Sequence, residues 1–165
     1  MAPPTAPAVR PARPDDEATL RRLQQHLDQP APALLGAALA GTFGECLVAV
    51  DDVDTPVGYL LAVTGDGGVP VASSTAADAP EDGTPTTHVA ELVVAPEARR
   101  NGHASALLAT VLSTHPTATV TLTVAPANEA ARALYDRFGF EVSRTLPGFF
   151  DDGPGLLLAR RPRPE

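Results

Sequence analysis

A chain of 165 residues with 44% apolar composition is long enough for one domain with a sizeable core, and none of its apolar runs approaches the length of a membrane span. Its formal charge of −8, with no basic stripe, argues against a nucleic-acid partner. One cysteine, Cys46, precludes an internal disulfide, and the proline-rich start lacks the apolar core of a secretory signal, so a cytoplasmic protein is expected.

Residues 1–8 read as a disordered tail, 9–160 as a single domain and 161–165 as a frayed end. Val9 to Ala12 predicts a short first strand. Pro14-Asp15-Asp16-Glu17 predicts a helix start, with acids in the first turn and Leu20, Leu23 and Leu27 recurring at helical spacing. Pro30 and Pro32 end that helix, and a second, shorter one is expected over 33–40. Apolar, β-branched runs at 45–50 and 57–63, separated by Asp51-Asp52-Val53-Asp54-Thr55-Pro56, predict a hairpin. Cys46 lies in the first of these runs, where a small buried apolar side chain is expected rather than a nucleophile. Residues 65–86 are rich in Gly, Pro, Ser, Thr and Asp and predict a long loop. A strand at 87–95 follows, then a helix at 102–114 with Ala104, Leu107, Leu108, Val111 and Leu112 on one face. A β-branched strand at 117–124 leads to a helix opened by Asn128 and closed by Gly139. Strands at 140–144 and 155–160 complete an α/β chain around a central mixed sheet.

All twelve basic residues are arginine, and none lies between Arg22 and Arg99, an interval that carries eleven acids. Such a layout suits an anionic cofactor on one side and a cationic amine on the other. It is equally the layout of acids that simply coat a surface.

Within Glu91-Leu92-Val93-Val94-Ala95-Pro96-Glu97-Ala98-Arg99-Arg100-Asn101-Gly102-His103-Ala104, an apolar strand ends, a basic turn follows and a helix begins. That order builds an anion site, because the first amides of a helix present unpaired N–H groups and the positive end of its dipole. Arginine suits a pyrophosphate through its planar fork. Taken alone, the six residues from Arg99 to Ala104 also describe an ordinary helix start.

The run Leu92-x-Val94-x-Pro96-x-x-Arg99-x-x-Gly102-x-Ala104 resembles the acetyl-CoA signature of the GNAT superfamily of N-acetyltransferases. Asn128-Glu129-Ala130-Ala131-Arg132-Ala133-Leu134-Tyr135-Asp136-Arg137-Phe138-Gly139-Phe140 is similar to that family's second cofactor segment. The resemblance implies a sheet splayed between two strands, with acetyl-CoA as co-substrate and acetyl passed directly to an amine. It implies that Leu92, Val93 and Val94 offer their backbone to the pantetheine arm. Arg99, Arg100, Asn101, Gly102, His103 and Ala104 would cradle the pyrophosphate, with Asn128 and Arg132 as further contacts. Tyr135 would be the general acid, since a phenol near pKa 10 matches a departing thiolate.

For the base, His88 and Glu91 compete. His88 aligns with the family's catalytic position four residues before Leu92, and an imidazole titrates in a suitable range. Strand alternation puts Glu91 on the opposite side unless a bulge intervenes. The second half is most similar to the ribosomal-protein alanine N-acetyltransferases, from Asn128 to Phe140 and again over Pro147-Gly148-Phe149-Phe150-Asp151-Asp152-Gly153. Phe149 and Phe150 stand where those enzymes carry tyrosines that help hold a peptide, and Thr123 stands where they carry a glutamate base. The acceptor is therefore expected to be a peptide N-terminus or a small amine, bound by a monomer or homodimer with no metal. A non-catalytic acyl-CoA sensor is the alternative, and no phosphate-loop motif points to a nucleotide.

Overall fold

In the computed structural model, residues 8–27, 30–65, 85–150 and 153–162 are described. The strands are β1 (Ala8–Pro11), β2 (Glu45–Val50), β3 (Pro56–Gly65), β4 (Thr86–Val94), β5 (Thr119–Val124), β6 (Glu141–Phe150) and β7 (Gly153–Arg160). The helices are α1 (Glu17–Gln24), α2 (Pro32–Leu39), α3 (His103–Thr114) and α4 (Glu129–Arg137). The seven strands form a mixed sheet in the order β1-β2-β3-β4-β5-β7-β6. The β4–β5 pair is parallel, as a helical crossover between two strands requires. The β1–β2, β2–β3, β5–β7 and β6–β7 pairs are antiparallel. Most of the expected 65–86 loop lies outside the described residues, as do Asp151 and Asp152 and the outermost parts of both tails.

The chain divides into two compact units, residues 1–62 with 91–114 and residues 63–90 with 115–165. In the first, β1 aligns Arg10 with Val48, and β2 aligns Val48 with Tyr59. Leu20, Leu35, Val48, Tyr59 and Leu61 have no exposed surface and form its core. Full burial of each such side chain stabilises by about 2 kcal/mol. Helix α1 stops at Gln24, short of Leu27, because the His26 and Leu27 amides bond three residues back, to the carbonyls of Leu23 and Gln24. Leu27 still packs against the core, from the turn rather than from the helix. The β2–β3 connection is held by Asp51 Oδ1, which accepts from the Val53 and Thr55 amides at 2.9 Å each. Arg10 ties the entry of the fold together, donating to Asp16 Oδ2 at 2.8 Å and Asp54 Oδ1 at 2.9 Å.

In the second unit, β4 and β5 run in register from Thr86 opposite Thr119 to Val89 opposite Leu122. Alternation along β5 buries Val120, Leu122 and Val124 and leaves Thr119, Thr121 and Thr123 on the half-buried face. Asn128 caps α4, its Oδ1 accepting from the Ala131 amide at 3.2 Å, and Gly139 ends it at φ 87°. The expected strand at 140–144 extends to Phe150 in the structure. Pro147 is tolerated because β6 is the last strand of the sheet and its register with β7 shifts there.

Candidate active site

The first unit holds the basic turn. After β4 a single tight turn spans Pro96–Ala98, and Arg99 leaves it in an extended conformation with Nε donating to the Val94 carbonyl at 3.2 Å. Arg100 takes φ 68°, a left-handed conformation that costs a non-glycine residue about 1 kcal/mol. The Asn101 side-chain amide donates to the Ala98 carbonyl at 3.1 Å. Gly102 follows at φ 82°, where any side chain would be strained. Helical bonding in α3 begins with the Ala106 amide donating to the Gly102 carbonyl, so the amides of His103, Ala104 and Ser105 have no partner within the helix. His103 Nδ1 is closed off from solvent and has no hydrogen-bond partner among the described residues. Donors without partners at a positive helix end fit a pyrophosphate.

Leu92, Val93 and Val94 lie on β4 just before that turn, with Val93 buried and the other two half-buried. Glu91 is 4% exposed. Its carboxyl group accepts from Tyr59 Oη at 2.8 Å, from the Ala31 amide at 2.6 Å and from Gln24 Nε2 at 3.1 and 3.3 Å. Glu91 thus ties β4 to β3, to the end of α1 and to the start of α2. Burial, and then the charge of Glu91, push the Tyr59 phenol well above its ordinary range, so it stays a donor. The same combination pushes the Cys46 thiol up to about 12, burial first, then Glu91 and Asp16. Such a thiol is inert, as a buried core cysteine should be.

In the second unit, His88 is 7% exposed, and its Nδ1 lies 2.8 Å from Thr121 Oγ1. These two residues are direct partners across the β4–β5 register. Burial lowers the imidazole to about 4, below the range expected from its free value, and keeps it neutral at pH 7. Tyr135 is 8% exposed and packs edge-on against Phe140, with ring centroids 5.9 Å apart. Burial raises its phenol to about 12. Asn128 spends Oδ1 on the helix cap. Arg132 donates to the Pro126 carbonyl at 3.1 Å and lines a groove of about 510 Å³ alongside Glu129, Asp136 and Glu141. Phe149 is half-buried on β6, and the Phe150 side chain lies outside the described residues. Among the described residues no group of His, Cys, Asp and Glu side chains could hold a metal ion, and no helix is long and apolar enough to cross a membrane.

The structure adds Thr121, Gln24 and Tyr59 to the candidates read from the sequence. Each meets its partner across 32 to 67 residues of chain. The alternating Thr119-x-Thr121-x-Thr123 pattern signals a polar strand face, but only the parallel register selects Thr121 for His88.

A model of the acetyltransferase (GNAT) family matches residues 10–140. No curated protein matches the sequence. Solved structures share the fold at low identity. Arabidopsis thaliana NAA60 in complex with a bisubstrate analogue aligns with TM-score 0.77 and 21% identity over 93% of this chain and 96% of that one. Ard1 from Thermoplasma volcanium gives TM-score 0.76 and 20% identity over 97% and 100%. Arabidopsis thaliana Naa50 in complex with the bisubstrate analogue CoA-Ac-MVNAL gives 0.73 and 20% over 94% and 99%.

Proposed function

The chain belongs to the GNAT acetyltransferase family and is an N-acetyltransferase, and from that premise we propose that it passes acetyl from acetyl-CoA directly to a primary amine, with both substrates bound together. The observation that carries this reading is the turn from Arg99 to Ala104, where Gly102 is left-handed, the first three amides of α3 have no partner within the helix, and His103 Nδ1 has no partner among the described residues. Bound acetyl-CoA supplies the acetyl group as an activated thioester. Leu92, Val93 and Val94 offer backbone groups to its pantetheine arm, and Asn128 offers the amide nitrogen that its cap does not use. Arg99 is the better placed cation, while three carboxylates share the groove with Arg132.

Acetyl transfer forms a C–N bond as a C–S bond breaks, and the chain moves two protons. Tyr135 gives its phenolic proton to the departing sulfur; a phenol held at about 12 is fully protonated at neutral pH. An imidazole lowered to about 4 is too weak a base for a free ammonium. His88 therefore takes its proton from the amine nitrogen as the C–N bond forms and makes that nitrogen far more acidic, directly or through water. With Nδ1–H donating to Thr121 Oγ1, the lone pair on Nε2 is the one that accepts it. Glu91 is the alternative base, but its oxygens already serve three donor groups, which favours a positioning role for it.

The acceptor is a protein N-terminus or a small amine. The analogue CoA-Ac-MVNAL carried by the Naa50 structure supports a peptide. Membership of the ribosomal-protein alanine branch is supported by the Asn128–Phe140 run and opposed by Thr123 in place of a glutamate. Without that carboxylate, the second reading is an acyl-CoA sensor.

Two variants test the assignment. Gly102→Glu should weaken acetyl-CoA binding at least about 100-fold by calorimetry, through backbone strain and charge repulsion, and unchanged affinity would sink the cofactor site. Tyr135→Phe should leave acetyl-CoA affinity intact and lower amine-dependent thiol release about 100-fold. The sensor reading requires acetyl-CoA binding with no such release from the wild type.

A further inference from the structure

Strand β6 is the last strand of the sheet, so one of its edges pairs with β7 and the other has no strand beside it among the described residues. The free edge runs from Glu141 to Leu146. Beyond it a bulge carries extra chain between Leu146 and Phe150, and Pro147 has no N–H to offer. An unpaired edge is a row of backbone donors and acceptors open to an added strand.

Helix α4 and the start of β6 bound the groove of about 510 Å³, which lies wholly within the second unit. Phe140 and Leu158 are buried in its floor, while Val142 is 54% exposed. Glu129 and Asp136 from α4 and Glu141 from β6 also line it, and none of the three side chains has a hydrogen bond or ion pair among the described residues. Arg132 stands three residues after Glu129 and four before Asp136, the spacings at which helical ion pairs form. It makes neither pair and donates to the Pro126 carbonyl instead. Three carboxylates against one guanidinium leave the groove negative.

We propose that the β6 edge and this groove form a docking site for a basic, extended segment of a partner protein, added as a further strand beside β6. The segment carries arginine or lysine at alternate positions. Alternate residues of a strand face one side, so their apolar stems cover Val142 while their charged heads meet the carboxylates. A second copy of this chain fits poorly, because it would bring the same three carboxylates against these. A small polycation would neutralise the groove but leave the backbone edge unpaired. The site does not depend on the acetyl-transfer reading.

The probe is the peptide Arg-Thr-Arg-Thr-Arg-Thr, acetylated at its N-terminus and carrying fluorescein at its C-terminus, so that it has no primary amine to be acetylated. Fluorescence anisotropy should show binding to the wild type that weakens at least about 10-fold in Glu129→Gln/Asp136→Asn/Glu141→Gln. Asp15→Asn/Asp52→Asn/Glu97→Gln removes the same charge elsewhere and should change affinity by less than about 2-fold. All six positions are exposed, so both variants should melt as the wild type does. The peptide N-methylated at alternate residues should bind at least about 10-fold more weakly, and the unmodified peptide should slow amide exchange over residues 141–146. No binding to the wild type, equal losses in the two triple variants, or indifference to N-methylation overturns the proposal. Displacement of the peptide by equimolar spermidine would give the groove to a small polycation, and a dimer in light scattering that the peptide dissociates would give the edge to a second copy; either overturns it. Peptide binding that follows this pattern in a chain without thiol release would instead overturn the acetyl-transfer reading and leave the docking site standing.

Discussion

Glu91 and His88 lie three residues apart on β4 and are almost equally buried, yet their surroundings are opposite. Glu91 is met by a phenol, a backbone amide and a side-chain amide drawn from β3, the start of α2 and α1. His88 has one hydroxyl at Nδ1, from β5. The difference shows what burial does to an ionisable group. With donors on every side, an acid becomes a fastening point. Burial with no charged partner among the described residues holds an imidazole neutral and keeps chemistry in reserve.

The comparison breaks most visibly at Glu91. Glu91→Ala leaves three donors facing a void, and should cost about 4 kcal/mol. In a chain of this size that lowers the melting temperature by about 10 °C. A melt unchanged within 2–3 °C, about 1 kcal/mol, would show that Glu91 is not a fastening point. Glu91→Gln retains one oxygen acceptor and should fall between the two.

At His88 the signature is pH. The folded imidazole sits at about 4 against an unfolded value of 6.5, so the unfolded chain binds the extra proton between these limits. Stability contributed by the neutral ring is therefore complete above pH 6.5 and is lost as the pH falls toward 4, by about 3 kcal/mol in all. His88→Gln should flatten that slope in urea melts taken from pH 7 to pH 4. Asp16 does not blur the test. Its carboxyl is held below the usual range, chiefly by the Arg10 hydrogen bond, so its contribution is present above 3.8 and is lost only in stronger acid.

The smallest effect belongs to Thr121. Thr121→Val removes the hydrogen bond between Thr121 Oγ1 and His88 Nδ1, which should cost about 1 kcal/mol and show as a modest shift of the urea midpoint. A larger loss of amine-dependent turnover than of stability would mark Thr121 as a residue that positions His88.

The strand–turn–helix at 91–104 was readable because its meaning is local: proline ends the strand, glycine takes the left-handed turn, and a helix follows. The same holds for Asn128 and Gly139, which bracket α4 as caps. What could not be read is long-range. Gln24 and Glu91 meet across 67 residues, and the parallel β4–β5 register that gives His88 its hydroxyl leaves no mark in either strand. The β6 bulge was missed for a related reason. Proline and glycine at 147–148 look like the end of a strand, and only the pairing with β7 shows that the strand continues beyond them.

Cys46, buried on β2 with its thiol raised to about 12, has a practical consequence. Disulfide reagents report thiolates, and at pH 8 the folded protein presents almost none. Colour developed in a mixture of native protein, acetyl-CoA and amine therefore counts liberated coenzyme A with little background from the enzyme. In denaturant the same side chain becomes accessible, one per chain, and counts unfolded molecules. A single cysteine thus lets one colorimetric reagent follow both turnover and stability in every variant named above.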